Sequence, residues 1–342
     1  AAELPSDAVP AVSGFIAGDL AANNDVITDY GYTQHGLVID AVFALAASGA
    51  GANQAKASTA ALAADVEGYI GAGGEIYTGA TGKLLTLTAV QGESATDFGG
   101  VDLVERLRST LTNEGRFVDQ SEWGDYSNTL GQSWGVIGLQ RAGGGADASA
   151  VAFLRDQQCA DGGFRLLPET EPCASNPDAT AMAVQALVAV AGPADPYVTE
   201  ATGYLADLMG ADGGIGGEAP TEAANANSTG LAAGAFIAAG DTARAARARA
   251  FVASLYLGCN APEGVRGAIA YDAAALARPE VGTQLRMATS QAAVGLAGES
   301  YVTLSSAGNA ADPVRLDCNT VPDPGVDPAP AGPLGSLGSL GR

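Results

Sequence analysis

Histidine and cysteine are scarce in this chain of 342 residues. His35 is the only histidine, and the cysteines are Cys159, Cys173, Cys259 and Cys318. A Ser-His-Asp triad would have to use His35. A zinc site with nitrogen and sulfur ligands would need cysteines that have disulfide partners available. We therefore expect neither a triad nor a metal site.

Acid–base chemistry would need carboxylates held at a suitable spacing. Asp178 opens a predicted helix, and Glu218 and Glu222 lie in a predicted loop. A single carboxylate at a helix start favours a capping or helix-dipole role. Catalysis by these three acids stays open as an alternative.

The aromatic side chains are scarce, at 6% of residues, and seven of them lie at similar positions along the repeats. They precede or open predicted inner helices, except Trp134, which lies within one. Such placement fits a ligand pocket, although for any single residue we favour a side chain that plugs the layer of its own repeat. Trp123, Tyr126 and Trp134 are the strongest pocket candidates. The predicted ligand site comprises Tyr32, His35, Tyr77, Trp123, Tyr126, Trp134, Phe164 and Asp178.

The elements that would position these residues repeat about every fifty residues. Segments rich in Ala, Gly and Leu return at 33–49, 78–92, 129–143, 178–192, 227–240 and 284–298. Amphipathic segments precede them at 9–20, 54–70, 101–111, 148–158, 197–209 and 242–257. A helix that is apolar all round is buried, and one with a single apolar stripe lies at the surface. The alternation predicts an all-α (α/α)6 toroid of six outer-inner pairs, with the long outer-to-inner links on one rim.

The chain is predicted to have three parts. Residues 1–298 form the toroid, 299–320 form an extension tied by a disulfide, and 321–342 form a linker or tether rich in Pro, Gly and Ser-Leu. Tyr301–Leu304 is expected to be extended. The tail is a candidate contact for a partner.

The charge and cysteine content limit the protein's partners and location. With 38 acidic and 16 basic residues, the net charge is −22, which argues against nucleic acid and anionic membranes as partners. No apolar stretch is long enough to span a membrane. Of the three possible pairings of four cysteines, we favour Cys159–Cys173 with Cys259–Cys318. Disulfides and the start at Ala1, without Met, predict a secreted or cell-surface protein.

Two turns carry a resemblance to a known superfamily. Gln157-Gln-Cys-Ala-Asp-Gly-Gly-Phe164 and Met209-Gly-Ala-Asp-Gly-Gly-Ile215 end outer helices. They resemble the QW-type repeat of the terpene cyclase and prenyltransferase toroids, a superfamily that also includes transcobalamin-like proteins. The resemblance implies an (α/α)6 barrel with a central cavity open at one rim. The Asp-x-Asp-Asp acid motif of cyclases, the zinc ligands of prenyltransferases and the thioester of complement-type domains are missing.

From these observations we expect a non-catalytic toroid that binds a ligand or partner at its loop-rich rim. The ligand would be a small hydrophobic or corrinoid-like molecule, with His35 as a candidate corrinoid ligand, and the partner would be a cell-envelope component. One alternative is a degenerate cyclase-like, prenyltransferase-like or carbohydrate-active enzyme. Another is a structural subunit of an envelope complex.

Overall fold

A computed structural model describes residues 7–319 of the chain. Its helices alternate between an outer and an inner layer, with short additional helices in some links. In chain order they are α1 (Ala8–Ala22), α2 (His35–Ser48), α3 (Ala52–Ala64), α4 (Val66–Ile70), α5 (Thr78–Gln91), α6 (Leu103–Arg108), α7 (Thr129–Ala142), α8 (Ala148–Arg155), α9 (Pro177–Ala191), α10 (Pro196–Leu208), α11 (Ala226–Ala238), α12 (Thr242–Ser254), α13 (Ala273–Ala277) and α14 (Thr283–Ala297).

The inner helices form a closed ring. Within residues 7–319 they are α2, α5, α7, α9, α11 and α14; each contacts the next, and α14 contacts α2. The outer layer comprises α1, α3 with α4, α6, α8, α10 and α12, and each outer element packs on an inner helix. The predicted all-α toroid is confirmed.

Two outer helices differ most from the predicted ones, while those predicted at 148–158 and 242–257 each end three residues early. The helix expected at 54–70 is divided at Asp65, where φ is −130° and ψ is 38°, into α3 and α4. The helix expected at 101–111 shortens to α6, in which Leu103 and Leu107 supply the buried positions. The residues after Arg108 leave the helix, and Leu111 pairs with Phe117 in an isolated β-bridge.

Glycines let the inner helices pack with their backbones in contact. A Cβ built on Gly82 of α5 would lie 2.6 Å from the backbone nitrogen of Gly135 in α7. One built on Gly230 of α11 would lie 2.6 Å from the Cα of Ala292 in α14. The small residues of the repeat therefore set how tightly the ring closes.

The links that enter the inner helices carry the irregular structure. Two small hairpins occur there, β1 (Thr28–Asp29) with β2 (Tyr32–Thr33) and β3 (Phe164–Arg165) with β4 (Ser175–Asn176). Asn128, Asn176 and Asn225 each cap an inner helix by accepting from the N–H three residues on. We call the rim formed by the inner-helix N-termini the mouth.

The segment 299–319, which we call the floor strap, crosses the opposite face of the ring. The guanidinium of Arg141 donates to the carbonyls of Tyr301 and Leu304 at 2.7 and 2.5 Å. The backbone N–H of Ser306 donates to the Val90 carbonyl at 3.0 Å. Residues 301–304 form a turn in which Leu304 bonds back to Ser300, so the extended conformation expected there is wrong.

Both favoured disulfides are present, Cys159–Cys173 and Cys259–Cys318. The second bond joins the floor strap to the link that follows α12. The predicted linker 321–342 lies outside the described residues.

Within residues 7–319, no helix combines the length and apolar character that crossing a bilayer requires.

Candidate functional site

A cavity of about 430 Å³ opens at the mouth between α2, α5 and α14. Its polar lining includes His35 and Asp40 from α2, Tyr69 from α4, Lys83 from α5 and Gln291 from α14. Of these five side chains, only His35 belongs to the site predicted from the sequence. We call this cavity with its lining the axial site.

Asp40 and Lys83 form a buried ion pair at the centre of the axial site. Lys83 Nζ lies 2.7 Å from Asp40 Oδ1, and the two side chains are 14% and 5% exposed. The same ammonium donates to the Gly36 carbonyl at 3.0 Å and lies 5.7 Å from the centre of the Trp134 ring. Asp40, Lys83 and Trp134 are each the sixth residue of their inner helix. The repeat therefore places an anion, a cation and an aromatic face side by side.

Two amides extend this pair across the ring. Gln291 donates through Nε2 to Asp40 Oδ2 at 3.1 Å, and Asn227 donates through Nδ2 to Gln291 Oε1 at 2.5 Å. An ionised carboxylate only accepts hydrogen bonds, so it fixes which end of each amide faces which neighbour. The charge of Asp40 thus orders side chains on α14 and α11.

His35 and Tyr69 form one wall of the axial site. His35 Nε2 lies 2.7 Å from Asp65 Oδ2, and the imidazole stacks on the Tyr69 ring with centroids 5.7 Å apart. Burial, reinforced by the charge of Asp40, raises the pKa of the Tyr69 phenol. The phenol therefore stays protonated as a hydrogen-bond donor. Because Asp65 engages Nε2 of His35, a corrinoid-ligand role for this residue would have to use Nδ1.

Aromatic rings line the axis near the floor strap. The Trp134 ring stacks on that of Phe43, with centroids 5.9 Å apart, and meets the Tyr301 ring edge-on, with centroids 4.7 Å apart. The centroids of the Phe43 and Tyr301 rings are 5.3 Å apart. Tyr301 is 3% exposed. The floor strap therefore places the Tyr301 ring against those of Phe43 and Trp134.

The structure separates most of the other predicted ligand residues from this cavity. Trp123 and Tyr126 are 72% and 74% exposed on the link before α7, so the predicted grouping with Trp134 does not form. Tyr32 is 76% exposed in β2. Tyr77 lies just before α5 and donates to Glu75 at 3.0 Å. Phe164 is fully buried, which makes it a layer plug within its own repeat.

The three acids of the enzyme alternative lie away from the cavity lining. Burial raises the pKa of Asp178, although a hydrogen bond from Ser228 opposes the shift. Its Oδ1 atom is buried without a hydrogen-bond partner. Glu218 accepts from Asn176 at 2.7 Å, and Glu222 is exposed.

The string Gly131-Gln-Ser-Trp-Gly135 matches the Gly-x-Ser-x-Gly pattern of nucleophilic serines, yet it lies inside α7. The Ser133 hydroxyl is buried and donates to the Thr129 carbonyl at 2.8 Å. A nucleophile elbow requires a strand-to-helix turn that exposes the serine. Ser133 is a structural residue.

Sequence reasoning missed Asp40, Tyr69, Lys83, Asn227 and Gln291. A signal for two of them is present, because Lys83 is the only charged residue in α5 and Asp40 the only acid in α2. A single charge in an otherwise apolar buried helix must find a partner or change its protonation state. Opposite charges at the same position of consecutive repeats could have been paired from the sequence.

No protein-family model matches this chain, and no curated protein matches its sequence. Solved structures do match its fold. A protein from Actinoplanes has a TM-score of 0.63 at 16% identity, over 87% of this chain and 99% of that one. A type II terpene cyclase from Scytonema, in complex with geranylgeranyl dihydroxybenzoate, has a TM-score of 0.61 at 15% identity, over 87% of this chain and 98% of that one. The unsaturated glucuronyl hydrolase of Bacillus sp. GL1 has a TM-score of 0.57 at 12% identity, over 85% of this chain and 95% of that one.

These likenesses show the α/α toroid fold that the repeat resemblance implied. They also correct the expected function. The similar structures are mostly glycosidases and unsaturated glucuronyl hydrolases, together with the terpene cyclase. This favours the enzyme alternative over the expected non-catalytic binder.

Proposed function

We propose that this protein is a carbohydrate-active enzyme whose active centre is the axial site. The observation that carries the proposal is the buried Asp40–Lys83 pair, which opens with Gln291 and Tyr69 onto the 430 Å³ cavity. A carboxylate, an amide and a phenol at one end of a cavity suit a substrate rich in hydroxyl groups. The glycosidases of the same fold support this substrate class.

Asp40 is the proposed base or nucleophile. Lys83 and Gln291 hold its two oxygens, so the carboxylate is oriented before the substrate arrives. Among the described residues, Asp40 is the one acid in the cavity lining. The proton must then come from a different kind of group, and His35, supported by Asp65, is the proposed donor.

The exposed aromatic residues of the mouth fit an extended saccharide. Tyr30, Tyr32, Trp123 and Tyr126 are the most exposed large apolar side chains of the described part of the chain. They come from the links before α2 and α7, on either side of the entry to α5. Rings of this kind offer apolar faces to sugars with little loss of side-chain entropy. They are the proposed contacts for sugar units beyond the cavity.

The proposed place of action is outside the cytoplasm. Two disulfides support it, because such bonds persist in oxidising compartments.

The test is incubation of the purified full chain with a panel of neutral, amino and unsaturated uronyl oligosaccharides, with products identified by mass spectrometry. We expect hydrolysis of at least one substrate. Asp40→Asn and His35→Gln should each lower the rate by about 10²- to 10⁴-fold, as expected for loss of an acid–base group. Asp97→Asn, a substitution of an exposed acid, is the matched control and should leave the rate unchanged. Absence of product from the whole panel, or full activity of the Asp40→Asn variant, would reject the proposal.

A further inference from the structure

The cations around the axial site are already neutralised by carboxylates. Lys83 is held by Asp40, the Gly36 carbonyl and the Trp134 face, which occupies the ammonium on several sides. His35 has Asp65 at 2.7 Å, so this pair carries no net positive charge even when the imidazole is protonated.

The surroundings of the cavity continue this pattern. Thr283 lines the cavity and donates through its hydroxyl to Asp29 Oδ2 at 2.6 Å. Arg286, on the next turn of α14, donates to both oxygens of Asp19 at 2.8 Å. Within residues 7–319, each lysine, arginine or histidine that lines the cavity has an acidic partner.

We infer that the axial site selects saccharides without acidic groups, either uncharged or carrying an amine, and rejects uronic acids and phosphorylated sugars. This inference rests on the proposed function and names its substrate class. An incoming carboxylate or phosphate would lose its hydration and find no unpaired cation to replace it. It would also approach the negative charges of Asp29 and Asp65. A hydroxyl or ammonium group can instead donate to acceptor oxygens in the lining.

This selectivity would separate the protein from a relative in fold. The unsaturated glucuronyl hydrolase of Bacillus sp. GL1 is responsible for the degradation of glycosaminoglycan. In this chain, the charges around the cavity favour the opposite kind of sugar.

The experiment is calorimetric titration of the full chain with three oligosaccharides of equal length. They are a neutral cello-oligosaccharide, a glucosamine oligomer and an oligogalacturonate, and turnover of each is measured in parallel. We expect the oligogalacturonate to bind about tenfold more weakly or worse than the other two, because juxtaposed like charges disfavour a partner. Added salt should reduce the difference in affinity between the oligogalacturonate and the other two oligosaccharides, because it screens charge repulsion.

A variant locates the effect at the mouth. Asp65→Asn removes the carboxylate that pairs with His35 beside the cavity and should reduce the discrimination against oligogalacturonate severalfold, while Asp97→Asn should retain it. Binding or turnover that favours oligogalacturonate would overturn the inference and leave the proposed enzyme standing. Selective binding without turnover of any oligomer would support the inference and count against the enzyme. No binding of any oligomer would overturn both.

Discussion

At the scale of single residues, the Asp40–Lys83 pair connects stability with the proposed chemistry. Burying either charge alone would be costly, and the pair survives because each partner has further polar contacts. The same contacts hold the carboxylate still. The proposed chemistry and the stability of the fold therefore depend on the same side chains.

Removing one member of this pair should lower the free energy of unfolding more than removing both members. Lys83→Met leaves the Asp40 carboxylate buried without its cation and should lower the free energy of unfolding by about 3–5 kcal/mol. The double variant Asp40→Asn/Lys83→Met should recover part of that loss. Denaturant unfolding followed by circular dichroism measures both. Equal losses in the single and double variants would show that the pair is not coupled.

Asp178 gives a prediction that depends on pH. Because burial raises its pKa above the ordinary 3.8, the folded chain holds this proton more tightly than the unfolded chain does. The free energy of unfolding therefore falls as the pH rises from 3.8 through the folded-state pKa.

Asp178→Asn cannot ionise and should be more stable than the native chain at about pH 7, with the difference vanishing near about pH 3. Unfolding curves at the two pH values measure this. A variant that is less stable at neutral pH would contradict the stated cause of the shift.

The sequence alone could locate His35 at the mouth but could not identify the residues that surround it. Tyr69 reaches the axial site because its predicted helix is divided at Asp65, and the pattern of residues 54–70 does not predict that division. Gln291 and Asn227 are ordinary polar residues until the ring brings α14 and α11 close to Asp40. Their roles depend on contacts between distant repeats.

At the scale of elements, glycine positions set the helix spacing, and α5 against α7 tests this most clearly. Gly82→Ala should destabilise the protein, because its Cβ would lie 2.6 Å from a backbone nitrogen of the neighbouring helix.

Gly203→Ala is the matched control, since it lies inside α10 with no atom within 4 Å of the added Cβ. It should raise stability by about 0.5–1 kcal/mol through helix propensity. Thermal unfolding of both variants measures the contrast, and a Gly82→Ala chain as stable as Gly203→Ala would show that the helices can move apart.

The helix predictions held best where the signal was strongest. The inner helices were predicted to within a few residues because runs of small and apolar residues ending in Gly leave little choice of structure. The helix expected at 101–111 was too long, since amphipathic spacing continued past Arg108 into residues that bond to Phe117 instead. Tertiary contacts of this kind override a periodic pattern.

At the scale of the whole molecule, the floor strap ties repeats together across the ring. Arg141→Met would remove the donors to two strap carbonyls, and should lower the free energy of unfolding by about 2–4 kcal/mol, as for charged hydrogen bonds lost from a buried place. Arg244→Met breaks an exposed pair on α12 and should cost about 0.5 kcal/mol. Chemical denaturation compares them, and similar losses would mean that the strap adds little.

The closed ring could be predicted from six repeats, whereas the proposed activity could not. The expectation of a non-catalytic binder rested on missing motifs, and the group proposed as the active centre is assembled from separate helices, which leaves no motif in the sequence. Asp40, Tyr69 and Gln291 come from three different repeats. Closure of the ring is what makes them neighbours.

The most direct test of the central claim is a crystal structure of the Asp40→Asn chain with a bound neutral oligosaccharide that the native chain cleaves. A sugar unit in the cavity between α2, α5 and α14, within hydrogen-bonding distance of residue 40, is the predicted result. A saccharide bound elsewhere, with the axial site left to solvent, would contradict it.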